Sequence, residues 1–472
     1  MQDKTQQIFR DAPVPKAVLT NVIPSIISML MVLVYNLADT FFIGQTKDPL
    51  MVAAVSIATP AFIIFMAVGM LFGIGGTSMI SRMLGEGKRD MAKHISAFCF
   101  WTGAAIGVIA MIIMTIFSVP VCRLIGASDA TIGYASQYLS IVAIGIPFLI
   151  VSNSFSNIIR SEGHATVAMT GMIIGNMINI VLDPVMIIGF KWYVAGAAVA
   201  TVLGNIFSTV FYIIHLTSKR SILSIKPKDY SAKKIITLGV LSIGIPASLN
   251  SILMSFSNIM INSFMAKHGD LQLAGLGVAM KVNMIAVMLL IGVGTGIQPL
   301  LGYCFGAGNS KRYRSVLKFS LCFAICLSII MTLICYLGAA PLAKAFLDDE
   351  EAFGYAFAFS RIYIMSGPVL GILFVFINAI QSMGAAIPSL ILSVSRQGII
   401  YFPIRITTSR GNNTPVNLAM TQPITDYIAT ALSIVLFIVA YKKYFVAKDD
   451  MFAINIALVE EHTPVVGVVG IP

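Results

Sequence analysis

The chain has 472 residues, of which 57% are hydrophobic and only 11% charged, with 31 Lys and Arg against 20 Asp and Glu. Soluble domains carry about 25% charged residues, so a mean hydropathy of +0.90 excludes a soluble enzyme or a separate soluble domain of any size. The net charge of +11 suggests nucleic acid only until its distribution along the chain is read.

A helix needs about 20 apolar residues to cross the hydrocarbon of a bilayer. Apolar runs between polar clusters predict twelve spans, near 17–43, 51–80, 95–119, 131–156, 166–188, 193–217, 235–264, 272–302, 315–338, 355–381, 386–404 and 421–441. The expected fold is therefore an all-α integral membrane protein. The polar N-terminal stretch and the long first apolar run argue against a cleaved signal peptide. With the N-terminus inside, 20 basic residues fall in inside loops. They include Arg82, Lys88, Arg89, Lys93, Arg160 and six from Lys219 to Lys234. Seven fall outside: Lys47, Arg123, Lys191, Lys267, Lys344, Arg405 and Arg410. The positive-inside rule then puts both termini in the cytoplasm and explains the basic charge as topology, with no nucleic acid as partner.

Residues 24–89 and 246–311 resemble each other. IPSIISMLMVLVYN pairs with IPASLNSILMSFSN, and Leu84-Gly85 with Phe305-Gly306. Copies separated by six helices share one orientation, the plan of a two-lobed transporter. The expected division is an N-terminal lobe over 1–217, a basic cytoplasmic linker over 218–234, a C-terminal lobe over 235–444 and a cytoplasmic tail over 445–472. The repeat does not preserve its acids: Asp39 aligns with Ile261, and the Asp183 region with SVSRQGIIYFP. Cation handling is thus expected in the N-terminal lobe.

Asp39 and Asp183 lie inside long apolar segments. A carboxylate at the centre of a bilayer costs roughly 2.5–3.5 kcal/mol on insertion scales, and such residues mark ion or substrate pathways. Asn179 and Asp183 are four apart on one helix face, with Asn176 a turn earlier. Pro184 has no N–H and frees the carbonyl of Ile180. Carboxylate, amide and carbonyl oxygens suit a hard cation, and Thr201 in the next span offers a hydroxyl. Two neighbouring carboxylates in low dielectric call for a bound cation or a shared proton. Tyr35 and Asn36 flank Asp39 on the first helix and are secondary candidates. Lys281, deep in the eighth span, is a candidate counter-charge in the other lobe, with snorkelling as the alternative. Arg361 and Asp426 are expected near span ends. Six Cys read as buried small hydrophobes, and the five His are dispersed along the chain. No GxxxxGK[ST], HExxH or GxSxG pattern appears, so no enzymatic activity, ATPase function or organic cofactor is expected.

YNLADTFFIG on the first helix, RSEGHA before the fifth, NMINIVLDP within it, and ISRMLGEG and GYCFGAGN after the second and eighth together resemble the multidrug and toxic compound extrusion (MATE) family. The resemblance covers about residues 15–403 and resumes near TQPITDY. It implies antiport, in which amphipathic, often cationic drugs leave as Na⁺ or H⁺ enters, by a carrier expected to be monomeric in the inner membrane. In the branch with an N-lobe cation site, the family positions match Asp39, Asn179, Asp183, Thr201 and Ala197, with Tyr138 near them. The seventh and tenth helices lack the acids of another branch. Beyond Pro403 the chain departs from the pattern and reads IRITTSRGNNTPVNLAMTQP, so a short eleventh helix and a polar outer segment over 405–420 are expected. The alternatives are a flippase of lipid-linked saccharides, which needs a more basic cavity, and a membrane-embedded lipid-modifying enzyme, which needs a catalytic constellation.

Overall fold

The computed structural model describes residues 7–45, 49–346, 349–404 and 414–446. The described secondary structure is entirely helical. In chain order the first lobe contains α1 (Val14–Gly44), α2 (Pro49–Gly85), α3 (Arg89–Ile116), α4 (Ile132–Ser161), α5 (Ala165–Asp183) and α6 (Tyr193–Thr217). The second contains α7 (Lys234–Ala266), α8 (Asp270–Gly306), α9 (Ser310–Phe346), α10, α11 (Ala386–Val394) and α12 (Pro415–Tyr441). α10 comprises two arms, Glu350–Ile364 and Gly367–Ser382, bent by 48°. Among the described residues, eleven helices are long and apolar enough to cross a membrane, or twelve with the bent pair as one span.

Two spans carry π-helical turns at equivalent places, Pro184–Gly189 after α5 and Ser395–Ile399 after α11. Such turns arise where the i→i−4 ladder is interrupted, often at functional sites. At the first, Pro184 lacks the N–H that would continue the ladder.

Small residues let the helices meet at backbone distance. A Cβ on Gly73 would lie 3.2 Å from Ser154 Cα, which brings α2 against α4. Across the lobes the contacts are closer and reciprocal. A Cβ on Gly85 would lie 2.2 Å from the Tyr303 carbonyl oxygen, and one on Gly306 2.1 Å from that of Arg82. Gly75 meets the Val240 carbonyl, and Gly296 meets Val22. These pairs join α2 to α7 and α8, and α8 to α1, in the halves of those helices that end at the basic loops. The sequence repeat is therefore also a symmetry of the seam. The N-terminal segment reinforces it: Arg312 on α9 donates to the carbonyls of Phe9 at 2.7 Å and Ala12 at 2.8 Å, and the Phe9 ring meets Tyr303 at 5.6 Å.

The segment between the lobes is packed rather than loose. Ile222 and Leu223 are buried in the α2–α3–α4–α6 core. Trp101 Nε1 donates to the Ile225 carbonyl at 3.0 Å, and His94 Nδ1 lies 2.7 Å from that of Asp229. Glu162, in the α4–α5 turn, accepts from Ser221 Oγ at 3.0 Å and from Ile222 N–H at 2.9 Å. Burial acts to raise the pKa of this carboxyl, but the adjacent His164 and His215 imidazoles and the Ile222 amide outweigh it. They hold Glu162 down at about 2, below its ordinary 4.5.

Several expectations need correction. The expected outer segment 405–420 lies outside the described residues up to 413, but from Pro415 onward it is helix. Thr414 caps α12 by accepting from Asn417 N–H at 3.3 Å, and Pro415 takes the first turn, where no N–H is needed. The last span also continues past residue 444 through a π-helical turn, Lys442–Val446, so the expected tail starts later; residues beyond 446 lie outside the described ones. Cys322 and Cys326 are exposed on α9 rather than buried. A lipid-facing surface is as apolar as a core, so hydropathy alone does not separate the two. Asp426 lies inside α12, buried, and not at a span end.

Two outcomes are expected from this packing. Gly306→Ala places a methyl against the Arg82 backbone, which has no rotamer to yield, and lowers stability by about 1–3 kcal/mol. Gly133→Ala, where a Cβ meets nothing within 4 Å, leaves it unchanged; thermal unfolding in detergent compares them. Glu162→Leu orphans the Ile222 N–H, at roughly 1–3 kcal/mol for a buried donor, and limited proteolysis should then cut within 218–233 faster than in the parent.

Candidate functional site

Crossing of α5 and α6 at glycines creates the scaffold of the site. Ser208 Oγ donates to the Gly171 carbonyl at 2.7 Å and Tyr212 Oη to that of Ala168 at 2.8 Å. A Cβ on Gly204 would sit 2.7 Å from the Gly175 carbonyl oxygen. One turn further along α5 and one turn back on α6, this close approach brings Asn179 against Thr201.

With the Asn179 amide turned so that its nitrogen faces the carboxylate, Nδ2 donates to Asp183 Oδ2 at 3.0 Å. Its oxygen then accepts from Thr201 N–H at 3.1 Å and from Thr201 Oγ1 at 3.3 Å. The opposite orientation leaves nitrogen facing donors, so the hydrogen-bond network selects this one. Asp183 is fully buried, Asn179 and Thr201 nearly so. Asp183 Oδ1 has no hydrogen-bond partner among the described residues. Asn176 Nδ2, a turn earlier, is likewise buried without one. A buried polar atom without a partner costs about 1–3 kcal/mol, and more when charged, so these two atoms leave the site polar and incompletely satisfied.

α1 packs along α5 and contributes the second carboxylate. Asp39 and Asp183 interact electrostatically. Tyr35 interacts with both acids and hydrogen-bonds Thr201. Tyr138 on α4 interacts with Asp39, Asp183 and Tyr35. Ala197, fully buried, packs with Ile187 of the π-helical turn, and Tyr138 lies against the same small cluster. Four helices and the π-helical turn thus converge on the residues expected from sequence. Asn36 is exposed on α1, one residue round from Tyr35, and Lys281 is exposed on α8 in the other lobe.

The polar chain extends beyond those expectations. Asn205 Nδ2 donates to the Thr201 carbonyl at 2.9 Å, and its oxygen accepts from Ser152 Oγ on α4 at 3.1 Å. The Thr201/Asn205 spacing of one turn was the available signal for this continuation.

The equivalent region of the second lobe is chemically different. Arg396, in the π-helical turn after α11, reaches Asp426 Oδ1 through Nε at 3.3 Å and Nη2 at 3.2 Å. Gln422 Nε2 lies 3.2 Å from both Asp426 oxygens, and the guanidinium stands 5.2 Å from the Phe374 ring. This pair neutralises itself. Neither Asp39 nor Asp183 forms an ion pair with a basic side chain among the described residues. The carboxylate oxygens of Asp39 and Asp183 are hard donors, while the Asn179 oxygen is taken up by Thr201.

Comparison with known proteins bears on the family and the fold. The MatE family profile matches twice, at residues 24–185 and 246–407, one copy in each lobe. The multidrug export protein MepA of Staphylococcus aureus (strain NCTC 8325 / PS 47) is 30% identical over 409 residues, 86% of this chain and 89% of that protein. A MATE crystal structure in complex with MaL6 superposes with a TM-score of 0.88 at 24% identity, over 94% of this chain and 99% of the other. An outward-facing multidrug resistance MATE transporter of the MOP superfamily gives 0.87 at 24% identity, over 94% and 98%. With a family match in each lobe, a relative aligned along most of the chain and a shared two-lobed helical fold, the chain belongs to the MatE family and is a membrane transporter, not an enzyme.

Proposed function

We propose that the protein is a cation-coupled antiporter that exports amphipathic, often cationic compounds by alternating access. The observation that carries this reading is the contrast between the lobes: a self-neutralised Arg396–Asp426 pair in one, and two interacting carboxylates without a basic partner in the other. An anionic cluster in low dielectric is balanced by an entering Na⁺ or H⁺. Asp39, Asp183, Asn179 and Thr201 hold that ion, and Ala197 contributes backbone beside them. Its arrival removes the mutual repulsion of α1 and α5, so that α1 bends and cargo leaves outward.

The cargo class is supported by the relatives, which are named as multidrug export proteins. The seam closes the lobes at the basic end, which is the cytoplasmic end by the excess of inside charge. We place the carrier in the inner membrane, monomeric, with both termini in the cytoplasm. Arg396 is already engaged by Asp426, which leaves little basic chemistry for the anionic head of a lipid-linked saccharide.

Asp183→Asn keeps the shape of the site and removes a charge. Ethidium efflux from energised cells is expected to fall at least tenfold with expression intact. Imposing Na⁺ and pH gradients separately in vesicles identifies the ion; full efflux in Asp183→Asn sinks the reading. Thr201→Val, which removes one hydroxyl, is expected to weaken the ion dependence severalfold, read as a rightward shift of efflux against ion concentration, with little change at saturation.

A further inference from the structure

Glu162, His164 and His215 are far from the antiport site in chemistry and are left unused by it. They meet where the α4–α5 turn touches the last turn of α6. Glu162 Oε1 stands 3.3 Å from His164 Nδ1 and 3.3 Å from His215 Nε2. All three atoms lie within 4.8 Å of one another. The imidazoles meet edge to face, with ring centroids 5.0 Å apart and planes at 85°, so both converge on the carboxylate instead of stacking.

These separations are long for charge-assisted hydrogen bonds, which bring N and O to about 2.7–2.9 Å. They match a metal site better. Zinc bonds to imidazole nitrogen and carboxylate oxygen are about 2.0–2.2 Å, which sets the edge of a ligand tetrahedron at about 3.4 Å. Two edges are already near that value, and the nitrogen–nitrogen edge has to close by at most ~1.4 Å. The outer shell is also in place: Ile222 N–H fixes Glu162 Oε2 at 2.9 Å, and Ser221 Oγ lies 3.0 Å from both carboxylate oxygens. Second-shell bonds of this kind orient a ligating carboxylate. Glu162 itself is fully buried, whereas the side chains of His164 and His215 are 20% and 10% exposed, which leaves an ion a way in from the aqueous side.

We propose that Glu162, His164 and His215 bind a divalent transition metal, zinc foremost, through one carboxylate oxygen and two imidazole nitrogens. Three protein ligands leave a fourth position for water. The ion clips the α4–α5 turn to the end of α6, and through Ser221 and Ile222 to the segment that joins the two lobes. The site is independent of the cation cluster at Asp39 and Asp183, so zinc binding survives in Asp183→Asn.

The test uses the full-length protein, free of any affinity tag and stripped with chelator. Titration with zinc chloride by calorimetry, with metal analysis after gel filtration, is expected to give one ion per chain. Cobalt(II) in its place is expected to give the visible absorption of a four-coordinate N/O site. His164→Gln and His215→Gln each weaken zinc at least tenfold. Should either variant fail to fold, the parent still decides the matter: zinc protects His164 and His215, but not His94 or His268, from diethyl pyrocarbonate, read by mass spectrometry. No saturable binding, unchanged binding in both folded His variants, or no protection in the parent overturns the proposal.

Discussion

Two carboxyl groups held in an apolar interior, without a basic partner among the described residues, are the constraint on which this structure turns. Asp183 is fully buried, and one of its oxygens has no partner among the described residues. Its other oxygen is held by Asn179, which is held by Thr201, which connects through Asn205 to Ser152. Such a chain forms only where helix backbones approach closely, and the glycines of α5 and α6 permit that approach. Packing and chemistry are thus one design: removing a glycine separates the partners, and removing a partner strands a carboxylate.

The lobes share a scaffold and divide the work. Each has a π-helical turn at the same place, and each contributes glycines to a quasi-symmetric seam. In the second lobe the local acid is matched by Arg396, so that region is electrostatically closed. In the first, two acids interact electrostatically. Among the described residues, the buried acids without a basic partner lie in the first lobe. The seam ties α1 and α2 to α7 and α8 at one end.

Much of this was legible along the chain, because the bilayer imposes a simple code. Spans follow from runs of apolar residues, and the Pro24/Pro246 and Gly85/Gly306 correspondences expose the repeat. Asp39, Asn179, Asp183 and Thr201 stand out because polar groups inside apolar runs are costly. Spacing also has limits. It gave no means of telling that Asn36 is exposed while its neighbour Tyr35 is half-buried beside the acids. Nor did it pair Arg396 with Asp426, which lie on different helices, or His164 with His215. Cys322 and Cys326 were misplaced because lipid and core select the same residues.

By itself the sequence determined the helical class, the number of spans, the two-fold repeat and the lobe that carries the acids. Each of these rests on local hydropathy or on similarity between segments. Only the tertiary structure decided which polar residues meet, because contacts between helices depend on rotation and crossing geometry that periodicity leaves free. It showed that the second lobe neutralises its own acid, that the segment between the lobes is anchored by Glu162, and that two histidines distant in sequence share one carboxylate oxygen. Charges and ligands act over a few ångströms, and only folding sets distances on that scale.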